Sequence, residues 1–187
     1  MLTKGRTIDS GDSIQFHIQS EINFIKWFGH SLMADEHGVP IQVYHGSPCA
    51  GIEAFDPQYR GIIYFTPDLS YAQDCASRND SEGRVYSVYL RLEKPARYSD
   101  TTVLDILEKY DAMGLTQKEI IESFELGFDP YELFEDPSVI QALSESGYDG
   151  VLFFEEFQES IGVFSPTQIK AVDNCGGWYR EDPRIHY

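Results

Sequence analysis

Two short segments hold the side chains best suited to chemistry. Val-Tyr-His-Gly-Ser at 43–47 presents an imidazole, His45, and Gly-Ile-Ile-Tyr-Phe-Thr-Pro-Asp at 61–68 presents a phenol, Tyr64. Each reads as a buried strand that ends beside a flexible or sharply turned backbone. Two such strand ends side by side can grip a flat heteroaromatic ligand. The imidazole and the free backbone groups at Gly46 supply hydrogen bonds, and the phenol ring supplies a stacking face. A lone histidine near a strand end more often serves the fold than a function. Here the order, spacing and flanking residues of the two segments together point to a site.

The surrounding pattern supplies elements to hold them. Asp12 or Ser13 caps a helix running to about Gly29, with Ile14, Ile18, Ile22, Ile25 and then Trp27 and Phe28 as its apolar stripe. Asp-Glu-His-Gly at 35–38 reads as a turn and Pro40 as an extended restart. Strands follow at 41–45 and 61–66, then a short helix at 68–78 opened by Thr-Pro-Asp. Alternation over 84–93 predicts a half-buried strand that stops at Pro95. Three helices are expected at 102–113, 116–126 and 137–146, and strands resume at 150–154, 161–164 and 168–172. Strands at both ends around a helical middle read as α+β, with a helical lobe inserted at about 101–146 into a largely antiparallel sheet of one domain, 1–187. The tail from Asn174 carries no assignable pattern.

Composition narrows the function classes. With 31 acidic residues against 14 Lys and Arg, the formal charge is -17. Such a chain repels phosphate backbones and is no general DNA or RNA binder, yet it can hold a nucleotide in a local pocket. Cys49, Cys75 and Cys175 are an odd number at wide spacing, which suggests neither a disulfide framework nor a zinc site and fits reduced thiols in a cytosol. No apolar run reaches signal-peptide or membrane-span length, so the expectation is a soluble intracellular protein. His17, His30, His37 and His186 share no spacing and read as surface groups. The acidic run 124–136 reads as the wet face of the lobe. Nothing in the chain has metal-ligand spacing, and no metal is expected.

Four ordered stretches resemble the ADP-ribosyltransferase superfamily, in the branch of diphtheria toxin and the poly(ADP-ribose) polymerases, and most of all its domains in phage and mobile-element polyvalent proteins. They are Phe-Ile-Lys-Trp-Phe-Gly (24–29) with Asp-Glu-His-Gly-Val-Pro (35–40); Val-Tyr-His-Gly (43–46); Gly-Ile-Ile-Tyr-Phe-Thr-Pro-Asp (61–68) with Ala72; and Gly-Tyr-Asp-Gly-Val (147–151) with Val-Phe-Ser-Pro-Thr-Gln-Ile-Lys (163–170). The resemblance implies a split β-sheet whose cleft holds NAD as substrate. His45 would hydrogen-bond a ribose hydroxyl. Gly46 and Ser47 would follow it along the ligand, the absent Cβ at 46 giving the carboxamide room to approach. Tyr64, with Phe65 beside it, would stack on the nicotinamide.

Two departures from the family pattern stand out. Relatives often place a glutamate where counting back from Gln168 gives Ser160, with Glu159 adjacent. A carboxylate there would stabilise positive charge as the glycosidic bond breaks, whereas serine brings no formal charge. Alternation puts 159 and 160 on opposite faces, so position favours Ser160 and chemistry favours Glu159. Relatives also carry a second tyrosine where this chain has Cys75. Tyr71, one helical turn earlier, shares that face and can replace it, while Cys75 reads as a small buried packing residue. The function the resemblance implies is mono-ADP-ribosyl transfer to a macromolecule, a protein first and a nucleic acid second. The setting would be a bacterial cytoplasm, as a toxin or phage counter-defence factor. An inactive fold that binds a partner through its acidic surface, and an NAD glycohydrolase, are the alternatives.

Overall fold

The computed structural model describes residues 10–57, 60–78, 83–110, 114–126, 130–155 and 158–187. Its first element, helix α1 (Ser10–Phe28), does not bury the expected isoleucine row. Ile18, Ile22 and Ile25 are exposed, and the side chain of Ile14 lies outside the described residues. Phe24, Trp27 and Phe28 turn inward instead, and Phe24 meets Trp178 edge-to-face at 4.8 Å between centroids. Large rings bury more area than isoleucines and gain from edge contacts, which sets the helix's rotation.

Strands β1 (Val43–Ser47), β3 (Arg84–Leu90) and β7 (Ile169–Ala171) make one sheet, in the order β1-β3-β7. Strands β2 (Ile63–Phe65), β6 (Gln158–Val163), β5 (Gly150–Glu155) and β4 (Pro95–Ala96) make a second, in the order β2-β6-β5-β4. The pairings are antiparallel except β4 with β5, which is parallel. The expected stop at Pro95 is therefore the start of a short edge strand, a position where a missing N–H costs no ladder bond. The sheets touch where β1 meets β2, through an isolated bridge in which Tyr44 and Thr66 exchange N–H···O bonds of 2.8 and 3.0 Å. This is the α+β split sheet expected, with one parallel pair added.

Period-two alternation sends the second sheet's side chains into two different cores. Ile63, Phe65, Leu152, Ile161 and Val163 join Val43, Val88, Leu90 and Ile169 of the first sheet and the α1 aromatics. Ile62, Val151 and Phe153 face the helical lobe. That lobe consists of α3 (Thr101–Tyr110), α4 (Gln117–Leu126), a 3-10 turn (Pro130–Phe134) and α5 (Pro137–Glu145). The run 124–136 is not simply a wet face. Phe124, Leu133 and Phe134 are buried, and its residues 127–129 lie outside the described residues.

The last stretch of resemblance turns out to be a structural clamp. Ser165 caps a short 3-10 helix (Pro166–Gln168) in a reciprocal capping box with Gln168. The buried Gln168 amide then donates to the carbonyls of Arg91 (2.9 Å) and Asp149 (2.8 Å). Fully buried Lys170 donates to the carbonyls of Asp182 and Arg184 at 2.8 and 2.7 Å, fastening the tail. Ile185 and Trp178 of that tail complete the first core.

Candidate functional site

Helix α2 (Leu69–Ala76) builds one wall of the site, and its placement follows from two glycines. A Cβ on Gly46 would come within 1.9 Å of the Ala72 carbonyl oxygen, and one on Gly83 within 1.9 Å of the Ala76 carbonyl oxygen. Glycine at 46 is thus required by the helix backbone pressed against β1. That demand was not legible in the sequence, where the missing Cβ read as room for a ligand. Asp68 fixes the helix start by accepting from Ser70 N–H at 2.7 Å and Tyr71 N–H at 3.2 Å. The Ser70 hydroxyl and these amides hold its carboxyl below the usual carboxylate range.

Beside α2 opens a cleft of about 500 Å³, lined by His45 and Gly46 from β1, Tyr64 and Phe65 from β2, Tyr71 and Cys75 from α2, and Ser160 from β6. That is the size of an ordinary small-molecule pocket. The imidazole and the phenol therefore share one cavity. The two strands are also tied together there, since His45 Nδ1 lies 2.8 Å from the backbone carbonyl oxygen of Tyr64. A carbonyl only accepts, so Nδ1 carries the proton, and neutral His45 keeps its lone pair on Nε2. The ring sits against Phe55 (4.9 Å, edge-on) and Phe65 (5.6 Å). Burial among these rings pushes the imidazole below its ordinary 6.5, and the Tyr64 carbonyl only partly opposes that.

Tyr64 leans the other way. Its ring packs edge-on against Phe153 at 6.2 Å, on the lobe side of the sheet. Phe153 is the register partner of Ser160, which is 5% exposed. Glu159, one residue earlier, pairs with Phe154 and is exposed, and it does not line the cleft. Alternation therefore places Ser160 inside and its carboxylate neighbour outside. Ser47 also lies outside the cleft lining: its hydroxyl turns back to accept from Cys49 N–H at 3.1 Å. Phe65, 3% exposed, acts as the floor under His45. Tyr71 and Cys75 both reach the cavity, so Cys75 is half-buried rather than core.

Three charged lining residues carry no signal in the sequence: Arg60, Arg78 and Glu135. Arg60 Nη1 meets Glu135 Oε1 at 2.6 Å, joining the segment before β2 to the lobe. No local pattern announces a contact between positions so far apart. Among the described residues the lining carries two guanidiniums against one carboxylate, opposite in balance to a chain of charge -17. Among the described residues no group of three or more His, Cys, Asp or Glu side chains can hold a metal ion, and no helix is long and apolar enough to cross a membrane.

Fold and cleft together define a split-sheet α+β domain with an aromatic, cation-bearing pocket at the join. The chain belongs to the family described as ADP-ribosyltransferase in polyvalent proteins, whose profile matches residues 35–179. Neither a curated protein nor a solved structure matches the chain.

Proposed function

We propose that this protein is a mono-ADP-ribosyltransferase that cleaves NAD and transfers ADP-ribose to a macromolecular target, a protein first and a nucleic acid second. The observation that carries the reading is the convergence of His45, Gly46, Tyr64 and Tyr71 on one cavity in a chain of this family. The Nε2 lone pair of His45 suits a ribose hydroxyl as donor. The faces of Tyr64 and Tyr71 suit a flat nicotinamide. Arg60 and Arg78 suit the diphosphate of a dinucleotide. Holding these parts folded strains the bond between nicotinamide and ribose. As it breaks, its electron pair leaves with nicotinamide, and the ribose C1 carries developing positive charge until an acceptor attacks. The family setting suggests a bacterial cytoplasm and a role as toxin or phage counter-defence factor.

A second reading rests on Ser160, which brings no charge to the place where relatives often carry glutamate. It is a domain that binds without transferring, docking a partner through its acidic surface. Purified protein incubated with adenylate-labelled NAD and bacterial lysate separates the possibilities. Label on a macromolecule supports transfer, and free ADP-ribose with nicotinamide identifies a glycohydrolase. Unaltered NAD supports the binding domain and overturns the proposal.

A further inference from the structure

We infer that Glu135, from the inserted lobe, supplies the catalytic carboxylate of this cleft; the inference rests on the NAD-cleaving reading above. Among the described residues that line the cavity, Glu135 is the one carboxylate. The β6 position offers only Ser160, and Glu159 faces solvent.

The lobe holds Glu135 in place from both sides along the chain. Phe134 before it is 1% exposed and stacks on Phe153 at 5.5 Å, and Phe153 is both the ring packed against Tyr64 and the register partner of Ser160. Asp136 after it caps α5, accepting from Ser138 N–H at 2.7 Å. The Glu135 N–H itself closes the turn on the Glu132 carbonyl at 3.2 Å. A carboxylate pinned in this way loses little freedom on engaging a ligand. Arg60 at 2.6 Å orients it.

In the reaction the bond from C1 of the ribose to the nicotinamide nitrogen breaks, and neutral nicotinamide departs with the electron pair. The acceptor's lone pair forms the new bond to C1. Glu135 faces the positive charge on the ribose, takes the acceptor's proton, and passes it to solvent at the cleft mouth, where its side chain is 28% exposed. Losing one preorganised electrostatic group of this kind costs about 10²–10³ in rate.

The test measures NAD affinity by calorimetry and nicotinamide release in single turnovers, for wild type and three variants. Glu135→Gln is expected to bind NAD within about threefold of wild type and release nicotinamide about 10²-fold more slowly. Glu132→Gln, which removes the same charge from an exposed position three residues away, is expected to match wild type. Glu135→Ala is expected to regain part of its rate on adding formate, a rescue that a merely structural carboxylate would not show. Glu135→Gln releasing nicotinamide at the wild-type rate overturns the inference alone, as does failure of formate to restore Glu135→Ala. Wild type that neither binds nor cleaves NAD overturns the underlying reading and the inference with it.

Discussion

The inter-sheet core and the lobe core meet along β2, and each secures its share of the cleft differently. The inter-sheet side holds His45 by ring packing against Phe55 and Phe65 and by one hydrogen bond to the neighbouring strand. Its partners are near in sequence or adjacent in the sheet. The lobe side holds Tyr64, Ser160 and Glu135 through a single hub, Phe153, whose ring also meets Phe124 and Phe134. The first arrangement fixes one group rigidly. The second gathers three groups around one ring of β5, and of these only Glu135 comes from the inserted lobe. The difference suggests that the first side sets whether the ligand binds and the second whether it reacts.

Removing one group from each side tests that division most strongly. His45→Ala should lower NAD kcat/KM by about 10³-fold, with the far-ultraviolet circular dichroism unchanged. Wild-type kcat/KM in this variant would remove His45 from the site. Phe153→Ala should destabilise the protein by about 3–5 kcal/mol in chemical denaturation and reduce kcat more than NAD affinity, because the Tyr64 ring and, through Phe134, Glu135 lose their support. Equal losses in both parameters would argue against a separate role for the lobe.

Gly46→Ala probes the helix wall. With the Ala72 carbonyl oxygen only 1.9 Å from the new methyl, overpacking should cost about 1–3 kcal/mol and lower the melting temperature by about 2–4 °C for each of these. An unchanged melting temperature would restore the reading in which the glycine serves the ligand alone.

The smallest effect expected is in pH dependence. Burial lowers the His45 pKa, so the folded ring is neutral where an unfolded one begins to protonate near 6.5. The unfolded state then binds more protons, and stability is fully present above pH 6.5 and declines as pH falls toward the lowered value. The acid limb of kcat/KM should likewise have its midpoint below 6.5, since only the neutral ring offers Nε2 as acceptor. A midpoint at or above 6.5 would mean that a different group titrates.

Much of the cleft was readable because its residues obey local periodicities. His45 and Tyr64 belong to short strands flanked by turn residues, though each is the middle residue of its strand and not the end; Tyr71 and Cys75 sit one helical turn apart, and period two separates Ser160 from Glu159. What stayed hidden depends on distant packing. The α1 isoleucines look like a buried row until Trp178, from a tail without pattern, draws the aromatic face inward. Glu135 looks like one acid in a solvated run until Phe134 docks on Phe153 and Arg60 closes over it. Pro95 reads as a strand stop because a parallel partner on the sheet edge has no signal in its own neighbourhood.

A crystal structure with NAD bound probes the proposed site most directly. The proposed function predicts the nicotinamide ring within about 4 Å of the Tyr64 ring, with a ribose hydroxyl donating to His45 Nε2. A dinucleotide bound elsewhere, with these two side chains untouched, would contradict it.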